Sequence, residues 1–493
     1  MWFLNRRDFL KDSALAGAAL AQAALLGKAT AADEAKAAKK EGGDPLRVAV
    51  VGVHGRGMSH VGGFNGKNGC VITTICDCDE GVIGRAMKAV ESKQGKMPKY
   101  EKDVRKVVAD KDIDIITIAT PNHWHALAAI WAMQNGKDVY VEKPVSHNVS
   151  EGRRIVEAAR KYKRICQAGT QSRSGGGLIE AMEYLHAGKL GKISVARGLC
   201  YKPRGSIGKV DGPQEPPKTM DYDLWCGPAP NKPPHRNSRQ NGTVHYDWHW
   251  VWDYGNGDIG NQGIHEMDKA RWGLGKNELP KSVISVGGRF GYIDDGETPN
   301  TQVAVFDYGD CELIFEVRGL KTDALKGARV GNIYYGTEGY MVVPNYSSAT
   351  VFSPKGEKLK EFRSAEGEDN HFANFIKAVR SRKVEDLHAD ILEGHVSSAL
   401  CHLANISYRL GKQDAFNKES KAFGDDKEAA ETFLRMQDHL KDNDVKLEET
   451  KYQVGRKLKI NAKTESFDGD KEADAMLTRE YRKGFVVPTA DKL

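Results

Sequence analysis

From residue 46 the chain alternates short, uninterrupted apolar runs with stretches in which apolar positions recur every three or four residues. The runs are RVAVVG (47–52), VITTICD (71–77), IDIITIAT (113–120), DVYVEKP (138–144) and ICQAGT (165–170). A strand covered on both faces has no polar side to alternate with, so Val- and Ile-rich runs separated by amphipathic helices predict a parallel sheet. Residues 46–170 therefore read as a doubly wound Rossmann domain. Past Gly175 the pattern changes to a helix over 177–190, a strand over 192–201, a long Pro- and Trp-bearing loop over 202–247, and strands near 281–290, 302–309, 311–320 and 330–343. Short Gly-containing links, as in VAVFDYGDCELIFEV, pair such strands antiparallel. Residues 171–411 are thus predicted as an α+β domain with a mainly antiparallel open sheet, closed by helices over 368–381 and 388–410. A polar C-terminal extension, 412–493, carries one more predicted helix near 470–482.

Ahead of the first strand, Arg6 and Arg7 precede Phe9, Leu10, Lys11 and a weakly apolar run to Leu26. That order and length match a twin-arginine signal peptide. The run is Ala- and Gly-rich and falls short of the roughly 20 apolar residues a bilayer span needs. Residues 1–31, with Ala29-Thr30-Ala31 as a cleavage site, are expected to be this signal, and 32–45 a linker. The protein is expected in the periplasm, delivered by the twin-arginine export machinery and without stable membrane insertion. A net charge of +6 over 493 residues gives no support for nucleic acid as a partner. Eight cysteines are scattered without a CxxC pair, which suits buried thiols and argues against a metal site.

VAVVGVHGRGMSH places Gly52, Gly55 and Gly57, with His54 and Arg56 between them, at a strand-to-helix turn. Backbone N–H groups and the helix dipole there can hold a pyrophosphate. The spacing is G-x-x-G-x-G rather than G-x-G-x-x-G, and His54 stands where the second glycine lets the backbone approach the phosphates. Asp77 ends the second strand, where a carboxylate bonds the ribose 2′-OH and repels a 2′-phosphate. NAD is expected over NADP.

TPNHWH (120–125) closes one strand and EKP (142–144) the next. With DYDLWCGPAP (221–230), the stretch 246–275 and the stretch 369–411, the chain from about 46 to 411 resembles the glucose-fructose oxidoreductase, inositol dehydrogenase and MocA family, in particular its twin-arginine-exported branch. The resemblance implies a nicotinamide cofactor, a sugar or polyol substrate, and a second domain whose open sheet serves partly as a dimer surface, hence a homo-oligomer (dimer or tetramer). It puts Lys143 beside the nicotinamide and the alcohol, and gives cofactor contacts to Thr120, Pro121, Asn122, His125 and the neighbouring Glu142. It aligns the family's aspartate with Asn261 and its histidine with His265. An amide takes up no proton at neutral pH, which leaves Lys143 and His265 as the catalytic acid-base pair.

Other readings stay open on the sequence. Trp248, Trp250, Trp252 and Tyr254 alternate as a half-buried strand face would, and equally as a sugar-stacking wall in which Trp250 meets substrate. Arg173 is either a substrate-binding residue at the domain junction or one half of a surface ion pair. Asp268, one helical turn past His265, either orients that imidazole or belongs to the helix's first turn. The long loop and the polar tail are both candidates to fold over the cofactor cleft. The reading as a whole is an exported, NAD-dependent oxidoreductase acting on a secondary sugar or polyol hydroxyl, its tightly bound cofactor recycled in place. The alternatives are a glycoside-cleaving enzyme working by oxidation and elimination, and a non-catalytic carbohydrate-binding protein. The string YPTH, associated with the N-acetylgalactosaminidase branch, is absent.

Overall fold

A computed structural model describes residues 43–236, 244–364, 368–416 and 421–493. The expected signal peptide and nearly all of the linker lie outside the described residues, as does 237–243 of the long loop. The apolar runs form strands β1 (Leu46–Val51), β2 (Cys70–Cys76), β4 (Ile115–Ile118), β5 (Asp138–Val141) and β6 (Cys166–Ala168), joined at the edge by β3 (Lys99–Glu101). The sheet order is β3-β2-β1-β4-β5-β6, and the β1–β4, β2–β3, β4–β5 and β5–β6 pairings are parallel. Strand β3 escapes a sequence reading because KYE has no buried position. The order reverses between β1 and β4, so the crevice outside their carboxyl ends is where an open parallel sheet binds ligands. The turn after β1 and the TPN segment after β4 both open onto it.

The second sheet is 12-stranded and runs β14-β13-β12-β11-β7-β10-β9-β8-β16-β15, with β17 also on β8 and β18 on β17. Its strands are β7 (Ile193–Tyr201), β8 (Ser282–Gly288), β9 (Thr301–Asp307), β10 (Glu312–Arg318), β11 (Val330–Gly336), β12 (Gly339–Val343), β13 (Ser348–Phe352), β14 (Lys358–Arg363), β15 (Lys412–Ala415), β16 (Lys451–Val454), β17 (Leu458–Asn461) and β18 (Ser466–Phe467). Among the described residues only β7–β10 is parallel in this sheet; the other pairings are antiparallel, as the short links predict. One face buries the helices Gly263–Leu274 and Ile391–Arg409 through Met267, Ala270, Leu400 and Leu403. Two strands, β13 and β14, were not expected, since KLKEFR in β14 is mostly exposed and charged.

The tail after 411 builds into this domain. It adds β15 to β18, and its helix Lys427–Lys441 lays Phe433, Met436 and Leu440 on the other sheet face, against Val195, Ile284 and Val305. The helix expected near 470–482 is only Lys471–Ala475. Beyond it Tyr481 bonds Glu151 and Phe485 packs edge-on against Trp124, so tertiary burial draws the chain out of helical geometry.

The tail helix is also tied down by charge. Glu316 is fully buried in β10 and accepts from Arg435 (2.7 Å), Arg318 (2.9 Å) and the Tyr201 hydroxyl (2.7 Å). Burial alone would push its carboxyl up; Arg318, Arg435 and Arg197 outweigh that and hold it at about 2. A carboxyl whose folded value is depressed lends stability that is complete above its ordinary 4.5 and fades as pH falls toward 2. Glu316→Ala takes this carboxylate from the buried Arg197 and Arg318 and the half-buried Arg435 and should cost about 3–5 kcal/mol. An unchanged denaturant midpoint would refute that role.

Candidate active site

The nucleotide turn is built by close backbone approach. Gly52 has φ +82°, and a Cβ there would lie 2.8 Å from the Ala119 backbone; one on Gly57 would lie 1.8 Å from the Gly52 carbonyl. Neither position tolerates a side chain. A Cβ on Gly55 would meet nothing within 4 Å, because Gly55 faces the open cleft. The unusual spacing thus retains glycine where the chain folds on itself and where it fronts the cleft. Helix Gly57–Phe64 starts from this turn.

The cleft has a volume of 490 Å3. Asp77 lines it from the end of β2, its carboxylate accepting the Val53 N–H (2.9 Å) and the Asp79 N–H (3.1 Å). Burial pushes the Asp77 carboxyl up, and those two N–H groups pull it back. Thr120 lines the opposite wall with a buried hydroxyl that has no partner. A glycine-fronted turn at a helix N-terminus, flanked by an acid at the end of β2 and an unpaired hydroxyl after β4, fits a dinucleotide.

A second cavity of 470 Å3 adjoins the first, and Arg56 and Lys143 line both. Its other walls are Gln171, Ser172, His265, Tyr346, Ser347, Ser364 and Glu368, with Gly175 at the edge. Lys143 Nζ donates to the Asn261 carbonyl (2.9 Å). Burial lowers the lysine below its ordinary 10.5, opposed by Glu142. The His265 imidazole is held well below 6.5, first by burial and then by the charge of Lys143. Its ring lies 5.0 Å from that of Tyr346. Three buried polar atoms in these walls have no partner: His265 Nδ1, Ser172 Oγ and Ser364 Oγ. Glu142 Oε1 accepts from Arg56 (2.7 Å) and lies 3.1 Å from His60 Nε2; Arg56 also pairs with Glu368. Burial would raise the Glu142 carboxyl, but Arg56, His60 and Lys143 keep it well below its usual range.

Of the expected site residues, Gly52, His54, Gly55, Arg56, Asp77, Thr120, Pro121, Asn122, His125, Glu142, Lys143 and Asn261 converge on the first cavity and His265 on the second. Gly57 lies beneath the turn. His125 spans two loops, its ring nitrogens 2.6 Å from the Pro144 carbonyl and 2.8 Å from that of Thr120. Two substrate assignments fail. Arg173 lines neither cavity: it is buried on Asp268 (2.9 Å) and Glu393 (3.0 Å), so its charge is spent on an interior ion pair. Trp250 is 4% exposed, gives its N–H to Asp258 (3.2 Å) and has Arg204 over its ring, which leaves no face for a sugar. The aromatic segment is a 3-10 turn, Asp247–Trp250, not a strand, and it is Trp248 that reaches the cofactor cleft. Asp268 also binds the Ser397 hydroxyl (2.7 Å), and no bond from it to His265 is described. No residue after 411 lines either cavity among the described residues. The sequence reading missed Trp124, Trp225, His245, Tyr246 and His249 as cleft residues. The signal for His245, Tyr246 and His249 was a dense run of aromatic and His side chains after a Pro-rich loop, whereas Trp124 and Trp225 sit inside the TPNHWH and DYDLWCGPAP motifs.

Residues 46–170 match the family model described as oxidoreductase family, NAD-binding Rossmann fold, and residues 191–441 the one described as oxidoreductase family, C-terminal alpha/beta domain. A glycosyl hydrolase family 109 protein of Saccharopolyspora erythraea is 32% identical over 206 residues, 39% of this chain and 45% of that protein. One from Shewanella baltica is 34% identical over 176 residues, 33% and 38% of the two chains. The matched stretch therefore spans less than half the length of these relatives. Among solved structures, the WlbA dehydrogenase from Bordetella pertussis, in complex with NADH and UDP-GlcNAcA, superposes with a TM-score of 0.53 at 20% identity, over 73% of this chain and 96% of that one. A levoglucosan dehydrogenase in complex with NADH and levoglucosan gives 0.56 at 17% identity, over 73% and 97%. At such identities the likeness establishes the fold: a Rossmann domain followed by a mostly antiparallel sheet.

Proposed function

We propose, for a chain that belongs to the glucose-fructose oxidoreductase, inositol dehydrogenase and MocA oxidoreductase family, that it oxidises a secondary hydroxyl of a sugar or polyol with an NAD that stays bound through the cycle. The observation that carries this reading is the shared wall: Lys143 lines both the dinucleotide cleft and the cavity that holds His265. A nicotinamide cofactor, when bound, supplies the hydride acceptor. Lys143 Nζ, as a cation, stabilises the alkoxide that develops on the substrate oxygen. His265 Nδ1, unpaired and on a neutral ring, accepts the hydroxyl proton. Asn261 cannot share that proton, yet it still anchors the lysine, because the anchor is its backbone carbonyl.

The second cavity supports this substrate class. Its unpaired Ser172 and Ser364 hydroxyls, with Gln171 and Ser347, supply hydrogen bonds to a polyhydroxylated ring, and Tyr346 supplies an aromatic surface. The positive charge of Arg56 is taken up by Glu142 and Glu368, which leaves the Lys143 ammonium as the cation that meets the substrate oxygen. Asp77 supports NAD over NADP by its charge; Asp77→Ala should narrow that preference. The Arg6-Arg7 signal supports export to the periplasm in the folded state, with cofactor loaded in the cytoplasm. A resident cofactor then has to be restored in place by a second sugar or by the altered first one.

The second reading, glycoside cleavage by oxidation, elimination and reduction, is favoured by the likeness to the glycosyl hydrolase family 109 proteins. Products separate the two: an oxidised sugar paired with a reduced one, against a free aglycone with no net electron transfer. The test is to purify the protein without added nucleotide, denature it, and identify what is released. NAD near one per chain, with sugar changing the absorbance of the bound nicotinamide, is the expected result. Protein that binds no dinucleotide and gives no response to any sugar overturns the proposal.

A further inference from the structure

His54 replaces a fingerprint glycine, and its ring has a specific neighbour. It stacks on His245 from the second domain, centroids 4.2 Å apart and planes 17° from parallel. His245 Nε2 lies 2.7 Å from Asp79 Oδ2, just beyond the end of β2. Asp79 is buried, and its other oxygen accepts the Thr219 hydroxyl (2.5 Å) and the Gly81 N–H (2.8 Å). Backbone bonds tie the same two segments: Asp221 N–H to the Cys78 carbonyl (2.8 Å) and Glu80 N–H to the Thr219 carbonyl (3.1 Å). A few residues on, the Leu224 and Trp225 carbonyls both accept from Trp124 Nε1 at 3.0 Å, on the helix after β4. The second domain therefore bridges the cleft and is fastened on both sides of it. The fastening at Asp79 and His54 sits over the half lined by Asp77, where the ribose belongs.

We infer that His245, held by Asp79 and stacked on His54, belongs to the dinucleotide site as a latch that keeps the adenosine half of the cofactor from leaving. The inference rests on the proposed binding of a dinucleotide. A glycine at 54 would free the phosphate turn but would leave His245 nothing to close on. Partial desolvation at the cleft mouth and the neighbouring His245 push the His54 imidazole below its ordinary value, which keeps its face uncharged for the stack. The substitution that spoils the sequence fingerprint is thus the half of the latch contributed by the Rossmann domain. The rival explanation, that His54 merely crowds the phosphates, makes the opposite prediction for its removal.

The experiment follows loss of NAD from the full-length protein, loaded and freed of excess, into a large excess of a NAD-scavenging dehydrogenase. Loss of an aromatic stack or of a charge-assisted hydrogen bond corresponds to release faster by about tenfold or more. His245→Ala and His54→Gly should each show that acceleration, while His245→Phe, which keeps a ring over His54, should fall between them and the parent. His54 is exposed, so His54→Gly tests the stack without opening the core. Release at the parental rate in both His245→Ala and His54→Gly overturns the latch, as does slower release in His54→Gly, the outcome that crowding requires. A parent protein that retains no NAD even after loading at millimolar concentration removes the dinucleotide reading itself and the latch with it. Binding with unaltered release removes the latch alone.

Discussion

Lys143→Met should lower turnover of the oxidisable sugar by about 10²-fold or more while the protein keeps its bound nucleotide. Methionine retains the length and apolar stem of lysine, so the wall between the two cavities stays filled; what goes is the donor and its charge. The Asn261 carbonyl loses a 2.9 Å partner, but Glu142 keeps Arg56 and His60, so the neighbouring turn holds. The effect should fall on kcat, because a cation that meets the alkoxide acts in the transition state and not on the resting hydroxyl. A pH profile adds a second check. Burial holds Lys143 below 10.5, so activity that needs the cation should fail, as pH rises, at a value below 10.5. Methionine should abolish that alkaline limb. Parental turnover in Lys143→Met, or an alkaline limb that survives the substitution, would remove the lysine from the mechanism.

What the sequence disclosed about the fold depended on whether a pattern was continuous. Five apolar runs became parallel strands because nothing else accommodates a run such as Val-Ala-Val-Val (48–51) on both faces, whereas KYE and KLKEFR became strands by pairing alone and carried no signal. The glycine turn, Asp77, the TPN segment and the EKP segment were legible because each lies directly after a strand, where the sheet itself fixes its position. Residues that depend on two distant segments were not legible. Arg173 and Trp250 were plausible by type and neighbourhood, yet each is satisfied inside the protein, by Asp268 and by Asp258. The spacing of the Trp residues suggested a strand, but a 3-10 turn brings Trp248 onto His249 with ring centroids 3.7 Å apart. The stack of His54 on His245 joins positions from different domains, and no periodicity in either segment announces it. The tail posed the same difficulty on a larger scale: its charges read as a solvated extension, while Arg435 is in fact a partner of the buried Glu316.

His265→Ala should also lower turnover by about 10²-fold or more, as removal of a positioned base does, with nucleotide retained. Its diagnostic value lies in the coupling to Lys143. Burial and the lysine's charge both keep the His265 ring neutral well below 6.5. The parent protein should therefore hold its kcat/KM down to pH values below 6.5, losing it only when the ring takes a proton before substrate arrives. Removing the lysine's charge removes the second of the two causes, so in Lys143→Met the ring is easier to protonate. The acid limb of the residual activity should then move to higher pH. A structural histidine would show no such displacement, because its protonation would not gate the reaction. His265→Asn separates shape from basicity: the amide can still hydrogen-bond to a hydroxyl but takes up no proton, so it should be as slow as alanine and show no acid limb at all. Asparagine at the parental rate, or an acid limb that stays in place in Lys143→Met and persists in His265→Asn, would assign the proton to another group.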